Sequence, residues 1–96
     1  MPNLVQARLS GAAPNPFNPR TQIRFALPAP ARARLEIVDL RGRLIASLLD
    51  AELAAGEHAA LWEGTDTAGR RVASGVYRAL LTVNGQAQTV PLTLLK

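Results

Sequence analysis

The sequence predicts an all-β sandwich, and three observations lead to this prediction. Apolar and polar residues alternate with a period of two in several short segments, which is typical of strands buried on one face only. Turn-forming residues recur about every 8–12 positions, as they do where short strands follow one another. No segment shows the period of an amphipathic helix. About six or seven short strands in two packed sheets fit this pattern.

The composition is that of one globular domain. Of the 96 residues, 48% are hydrophobic but only 4% are aromatic, so the predicted core is aliphatic. No apolar run approaches the ~18 residues of a membrane-spanning helix. No secretory signal peptide is visible in the first residues. The chain contains no cysteine, which excludes a disulfide framework and a thiolate metal site.

The N-terminal part divides into two segments. Residues 1–13 are interpreted as a linker or a weak first strand, because residues 5–9 alternate only weakly. The next segment has three prolines in six residues, which fix φ three times and remove three backbone donors, so neither a helix nor a central strand can form there. It also carries one of the two phenylalanines, and a rigid loop with one apolar ring predicts a lid over the end of the core. This proline segment consists of Pro14, Asn15, Pro16, Phe17, Asn18 and Pro19.

Three strands are predicted after the proline segment. Residues 21–27 and 31–39 alternate cleanly, and Asp39 and Gly42 then form a turn, since aspartate can bond its own backbone and glycine supplies a positive φ. The third strand, residues 43–49, alternates poorly, which either a bulge or a short helix through residues 50–55 would explain. We favour a strand followed by a loop. The predicted inward residues of the two regular strands are Ile23, Phe25, Leu27, Ala33, Leu35 and Ile37.

Three further strands are predicted in the C-terminal half. Residues 57–63 and 75–83 alternate on either side of a polar turn, and Asn84-Gly85 is a strong hairpin signal that leads into a return strand, residues 86–95. Pro91 predicts an edge position for this last strand, because proline cannot donate a hydrogen bond to a neighbour. The predicted inward residues are His58, Ala60, Trp62, Tyr77, Ala79, Leu81, Val83, Val90, Leu92 and Leu94.

The charge pattern does not predict a nucleic-acid partner. The formal net charge is +4, but the arginines are spread along the chain and alternate with apolar residues and glutamates. A nucleic-acid interface needs a clustered basic face with stacking aromatics or a reading helix. We therefore interpret the arginines as solvated sheet faces, and we expect no insertion into a membrane.

Catalysis and cofactor binding are not predicted either. His58, the one histidine, is expected to face inward, and no serine lies in a nucleophile motif beside it. Glu63 and Asp66 lie too close together along the chain for the two sides of a hydrolase cleft. With Asp50 and Glu52 they are weak candidates for calcium ligands, but the spacing of a calcium loop is absent. We expect Asp66 to cap its own turn.

Binding through surface side chains has two weak candidates. A carbohydrate platform would need exposed aromatic rings, whereas Trp62 and Tyr77 are predicted to face inward. Leu61 and Leu80 are predicted to face outward and could form an apolar docking patch on neighbouring strands.

The order of the motifs resembles a known family. The proline segment is followed by residues 21–25, by Asp39-Leu40-Arg41-Gly42-Arg43, by Trp62-Glu63-Gly64-Thr65-Asp66 and by Ser74-Gly75-Val76-Tyr77. This order resembles the type A C-terminal sorting domain of type IX secretion substrates in the Bacteroidetes and related phyla. The same domain is described as the Ig-like domain named from the flagellar hook-capping protein. The resemblance covers residues 14–96.

The resemblance implies a seven-stranded Ig-like sandwich with no activity of its own, at the C-terminus of a larger secreted cargo protein. An outer-membrane shuttle protein would recognise it, and a sortase-like peptidase would remove it. The cargo would pass through the periplasm and the outer membrane to the cell surface. The terminal strand would be the recognition element, docking by edge addition; its residues are Leu92, Thr93, Leu94, Leu95 and Lys96.

The resemblance also implies structural roles. Phe17 would be a plug, Asp39 and Gly42 would form a hairpin turn, and Gly75 and Tyr77 would begin the penultimate strand. A structural corner would be formed by Trp62, Gly64 and Asp66. Two alternative functions stay open: a structural module of a hook-capping protein, and an accessory module of a secreted enzyme that binds a surface or a polysaccharide.

Overall fold

A computed structural model, which describes residues 7–95, confirms the all-β prediction with two antiparallel sheets. The three-stranded sheet has the order β1-β2-β5, and the four-stranded sheet has the order β4-β3-β6-β7. The strands are β1 (Arg8–Ala13), β2 (Thr21–Leu27), β3 (Ala31–Val38), β4 (Leu44–Leu53), β5 (Gly56–Trp62), β6 (Gly75–Val83) and β7 (Gln86–Leu94). None of the described residues forms a helix that is long and apolar enough to cross a membrane.

The core lies between the two sheets, on the faces that the alternation predicts. The inward face of β2 is buried over its whole length, and those of β3 and β6 are buried from Ala33 and from Tyr77 onward. At the sheet margins, His58, Ala60 and Val90 are half-buried. Fully burying one large aliphatic side chain contributes about 1.5–3 kcal/mol. Side chains with no exposed surface are Ile23, Ala33, Leu35, Ile37, Ala79 and Leu92.

Two bulges explain the poor alternation of β4. Relative to β3, the register of β4 skips one residue at Leu48 and another at Ile45. Each extra residue reverses the side to which the following residues point, so the apolar positions lose their period of two. Of the two explanations left open by the sequence, the bulge is therefore the correct one.

The preference for a loop after residue 49 is wrong. Strand β4 continues to Leu53, with Asp50 opposite Arg34 and Glu52 opposite Arg32. The Arg32 Nε donates to the Asp50 Oδ1 over 2.9 Å on the outer face. The alternation resumes beyond the bulges, so these residues extend the sheet instead of leaving it.

The two ends of the sandwich are formed by different residues and turns. At one end, called the C-terminal pole, Thr21 lies opposite Trp62 and Gly75 lies opposite Leu94. At the other end, called the distal pole, Leu27 lies opposite Gly56, and the Asn84-Gly85 turn joins β6 to β7. Strand β1 begins near the distal pole, where Arg8 lies opposite Ala26.

Strand β7 lies at the edge of the four-stranded sheet, which confirms the position that Pro91 predicts. Beside it runs β1, the edge strand of the other sheet. The side-chain amide of Gln88 joins the two edges, because the Leu9 N–H donates to the Gln88 Oε1 over 2.8 Å and the Gln88 Nε2 donates to the Ala7 carbonyl.

The predicted patch of Leu61 and Leu80 does not form. Leu61 lies on β5 and Leu80 on β6, so the two residues belong to different sheets. The outer faces of the two sheets of a sandwich point in opposite directions.

Candidate functional site

The proline segment closes the C-terminal end of the outer edge of β7 through its backbone. The Phe17 N–H donates to the Thr93 carbonyl, and the Leu95 N–H donates to the Phe17 carbonyl, both over 2.9 Å. This is a short parallel bridge between Phe17 and Leu94. The Thr21 hydroxyl fixes the start of the segment by donating to the Pro14 carbonyl over 2.7 Å.

The Asn15 side chain extends this closure to Pro91. Its Nδ2 donates to the Pro91 carbonyl, and its Oδ1 accepts from the Thr93 N–H, each over 2.9 Å. One side-chain amide thus replaces the donor and acceptor of a neighbouring strand. Thr93 directs its N–H and carbonyl outward. Because the direction of the backbone groups alternates from residue to residue along a strand, Pro91, two positions earlier, directs its nitrogen outward as well. The missing donor of proline therefore leaves no gap in the sheet.

The predicted recognition residues divide into anchors and exposed groups. Leu92 and Leu94 are 0% and 1% exposed and belong to the core, whereas Leu95 is 52% exposed and Thr93 is half-buried. Lys96 lies outside the described residues. A strand added along residues 91–95 would have to displace residues 15–17 first, because these residues already hold the outward backbone groups.

The ring of Phe17 in the proline segment packs against the first of two adjoining aromatic rings of the core. The ring centroid of Phe17 is 5.4 Å from that of Trp62, and Trp62 meets Tyr77 edge-on at the same distance. The Trp62 Nε1 donates to the Thr65 carbonyl over 2.8 Å, and the Tyr77 hydroxyl donates to the Ala73 carbonyl over 2.6 Å. The polar atoms of both rings are thus satisfied although the rings are buried, as buried tryptophan and tyrosine require.

Gly64 occupies a position at the C-terminal pole that only glycine fits well. Its φ is +74°, and a Cβ there would lie 3.2 Å from the Pro19 carbonyl oxygen and 3.4 Å from the Leu94 Cδ2. The corner after Trp62 can therefore pack directly against both the proline segment and the terminal strand. Gly75, opposite Leu94, begins β6 at this same pole.

The turn that follows β3 is built around Asp39. The Asp39 Oδ1 accepts from the N–H groups of Arg41 and Arg43 over 2.9 Å, and its Oδ2 accepts from the Arg43 Nε over 3.1 Å. Gly42 adopts a φ of +82° and donates its N–H to the Asp39 carbonyl. The turn presents Leu40 and two arginines to solvent.

The turn at Asp66 repeats this arrangement. The Asp66 Oδ1 accepts from the N–H groups of Ala68 and Arg70 over 3.0 and 2.9 Å, and Gly69 adopts a φ of +83°. The Arg70 Nε lies 3.6 Å from the Asp66 Oδ2. Both turns have the sequence Asp-x-x-Gly-Arg, at residues 39–43 and 66–70. Our sequence analysis missed this repeat, although the shared spacing would have revealed it.

The two aspartate turns lie next to each other. The Thr67 N–H donates to the Ile45 carbonyl over 2.9 Å, which ties the second turn to the start of β4. Between them lies an open cleft of about 430 Å³, lined by Arg43, Leu44 and Arg70 among others. Arginine and apolar side chains therefore share one surface at the C-terminal pole.

Asp39 makes the stability of the domain dependent on pH. The backbone N–H of Arg43, followed by the Arg43 guanidinium, holds the pKa of Asp39 below its ordinary value. The stabilisation is therefore complete above the usual carboxyl pKa of about 3.9, and it is lost as the pH falls through the lower pKa of the folded state. We expect the urea midpoint to fall over that range and to fall less in Asp39→Asn. If the urea midpoint fell equally with pH in the parent protein and in Asp39→Asn, this role of Asp39 would be contradicted.

The remaining candidates for chemistry lie apart from one another. His58 stacks on Phe25 with centroids 5.4 Å apart, and its Nε2 lies 2.8 Å from the Ala54 carbonyl oxygen. Asp66 serves its own turn, and Glu63 is exposed near Arg71. Within residues 7–95, no three His, Cys, Asp or Glu side chains gather as metal ligands would.

Asn15→Ala tests the closed edge. The variant loses two hydrogen bonds to the backbone of β7, at about 0.5–1.5 kcal/mol each. We expect the free energy of unfolding to fall by about 1–3 kcal/mol in urea denaturation. Asn18→Ala is the matched control, because Asn18 also precedes a proline and no side-chain hydrogen bond of Asn18 is found in the described part of the chain. Equal losses in both variants would contradict the role of Asn15.

Comparison with known proteins identifies the family and the fold. The family model described as the FlgD Ig-like domain matches residues 15–88. No curated protein sequence matches the chain. Among solved structures, dimeric latent PorU from Porphyromonas gingivalis is 21% identical with a TM-score of 0.75, over 93% of this chain and 9% of that one.

Two further structures are similar. PorZ, a surface component of the type IX secretion system of Porphyromonas gingivalis, is 27% identical with a TM-score of 0.59, over 88% of this chain and 11% of that one. AlkC, a DNA glycosylase from Pseudomonas fluorescens solved with DNA, is 19% identical with a TM-score of 0.58, over 95% of this chain and 30% of that one. This chain therefore spans only a small part of the length of each of the three proteins. For PorU and AlkC, at 21% and 19% identity, the similarity is one of fold. Since the family model covers well over half of the chain, the chain belongs to the FlgD Ig-like domain family.

Proposed function

We propose that this Ig-like domain is a non-catalytic sorting module of type A, which directs a larger cargo protein through the type IX secretion system to the cell surface. The observation that carries this proposal is the similarity of nearly the whole chain to one part of PorZ, a component of that system. The order of motifs along residues 14–96 supports the same reading.

The geometry favours a rigid recognition element at the C-terminal pole. Leu92 and Leu94 anchor β7 in the core, and residues 15–17 hold its outer edge. An outer-membrane shuttle protein would then contact the end of β7, where Leu95 is exposed. A sortase-like peptidase would act on the chain that links the module to its cargo.

A reporter fusion tests this function. A fluorescent protein with a periplasmic export signal is joined to the full chain and produced in a bacterium with a working type IX system and in a mutant lacking that system. We expect fluorescence at the cell surface only in the first strain. Retention in the periplasm of both strains would contradict the proposal.

A truncation locates the recognition element without opening the core. Deleting Leu95 and Lys96 leaves both anchoring leucines in place and is expected to reduce surface display several-fold. Arg34→Gln, an exposed change away from the C-terminal pole, is the control and should be displayed normally. Full display of the folded truncated fusion would place recognition elsewhere.

The family match favours one alternative, a structural module of a hook-capping protein. Such a module would stay in the periplasm in the reporter experiment, in both strains. Polysaccharide binding has less support, because Trp62 and Tyr77 are 1% and 8% exposed and offer no platform to a sugar ring.

A further inference from the structure

The exposed charges are divided unevenly between the two poles. Toward the distal pole and in the middle of the strands the charges nearly balance, with Arg8, Arg24, Arg32, Arg34 and Arg78 against Glu36, Asp50, Glu52 and Glu57. At the C-terminal pole, three carboxylates, Asp39, Glu63 and Asp66, face five exposed arginines. These arginines are Arg20, Arg41, Arg43, Arg70 and Arg71. Most of the positive excess of the described residues therefore lies at the C-terminal pole.

Two of these arginines remain available although they are paired. Arg43 and Arg70 direct their Nε atoms toward their own turn aspartates, yet their side chains are 72% and 80% exposed. The aspartates hold the near side of each guanidinium, and the far side faces solvent. Pairing thus orients these arginines outward.

The exposed large apolar side chains occupy the same pole. In the described part of the chain they are Leu40, Leu44, Leu61, Val76 and Leu95, with exposures between 42% and 63%. Leu44 and Val76 lie on the four-stranded sheet, opposite Val38 and Thr93. Leu61 lies on the three-stranded sheet opposite Gln22. These five residues surround the tip of the sandwich and do not form one flat patch.

A ring of apolar side chains among arginines fits a lipid surface better than the other anionic partners. Leucine and valine side chains gain free energy by entering the boundary between headgroups and acyl chains, while arginines attract anionic headgroups. The five side chains do not form the contiguous apolar patch that marks a large protein interface. Single-stranded nucleic acid would stack its bases on exposed rings, but Phe17, Trp62 and Tyr77 are buried.

We propose that the C-terminal pole binds the surface of an anionic lipid bilayer. The apolar ring reaches the headgroup layer, and the arginines contact the phosphates. In this orientation the strands of the described residues stay outside the bilayer, and the start of β1 lies toward the opposite end of the sandwich. This proposal goes beyond the sorting function and does not depend on it.

Co-sedimentation of the full chain with vesicles tests the proposal. One set of vesicles has equal parts of phosphatidylglycerol and phosphatidylcholine, and the other has phosphatidylcholine alone. We expect binding to the mixed vesicles, little binding to phosphatidylcholine alone, and weaker binding at high salt, which screens the attraction. Absence of binding to the mixed vesicles at low salt would overturn the proposal.

Two charge variants decide whether the pole is responsible. Each basic residue near an anionic surface changes the binding constant about 5-fold, so Arg41→Gln with Arg71→Gln should weaken binding about 25-fold. Arg8→Gln with Arg34→Gln removes the same charge away from the pole and should change binding only about 2-fold, through long-range attraction. Equal losses of vesicle binding in the two double variants would show long-range attraction without an oriented site, and would overturn the proposal.

A third variant tests the apolar ring. Leu40→Ser with Leu61→Ser changes two exposed side chains, so the urea midpoint should stay nearly constant, while binding to the mixed vesicles falls several-fold. Unchanged vesicle binding would overturn the proposal. So would binding of duplex DNA as tightly as the mixed vesicles, because leucines add nothing to a contact with phosphates alone.

Discussion

Replacing Phe17 by alanine is expected to lower the free energy of unfolding by about 3–5 kcal/mol. The ring is 2% exposed and packs on Trp62, so its removal leaves a cavity between the proline segment and the core. The total free energy of unfolding of a small domain is only about 5–15 kcal/mol. Urea denaturation followed by the fluorescence of Trp62, the one tryptophan, measures this loss.

Two controls separate the plug from general effects of substitution. Phe17→Leu keeps most of the apolar volume, so its free energy of unfolding should fall clearly less than that of Phe17→Ala. Leu40→Ala changes an exposed side chain and should stay within about 0.5 kcal/mol of the parent. If Phe17→Ala also stayed within that range, the ring would not seal the core.

Leu94→Ala is expected to lower the free energy of unfolding by about 2–5 kcal/mol. The side chain is 1% exposed and fills the space beside Gly64, directly below the corner that follows Trp62. Its loss would free the end of β7 from the core, and surface display in the reporter experiment should fall with stability.

The neighbouring residue provides a matched control for this variant. Leu95→Ala removes the same side chain one position later, where it is 52% exposed, and should change stability by less than about 0.5 kcal/mol. In the reporter experiment Leu95→Ala should still reduce display, because it removes an exposed group at the end of β7. Similar losses of stability in both variants would contradict the assignment of one anchor and one exposed residue.

The regular strands could be predicted from the sequence because each has one buried and one solvated face. The inward triad of β2, Ile23, Phe25 and Leu27, is an example. Strand β4 could not be predicted fully, because the bulges at Leu48 and Ile45 depend on how β4 aligns with β3. An edge strand accommodates such extra residues, and their positions leave no local signal beyond a broken period.

The candidate site was less predictable because it depends on contacts between distant residues. Asn15 and Thr93 are separated by 78 positions, and nothing near Asn15 indicates that its amide replaces a strand. The arginines are spread along the sequence, yet Arg20, Arg43 and Arg70 meet at one pole because antiparallel strands return there repeatedly. The positions of these arginines along the sequence therefore do not reveal that they lie at one end of the folded domain.

The closed edge changes what recognition of the terminal strand requires. Strand addition needs free N–H and carbonyl groups along an edge, and residues 15–17 already bind those of residues 91–95. A partner must either contact the exposed groups of the C-terminal pole or displace the proline segment. Besides covering the core, the proline segment therefore occupies the edge at which an added strand would have to pair.

Native-state amide hydrogen exchange of the unmodified chain tests this closed edge most directly. The N–H groups of Thr93 and Leu95 point away from β6, so they are protected only if Asn15 and Phe17 bind them. We predict that both exchange about as slowly as the N–H of Leu92, and that Asn15→Ala accelerates Thr93 more than Leu92. Exchange of Thr93 and Leu95 at the rate of an exposed loop, while Leu92 stays protected, would contradict the account.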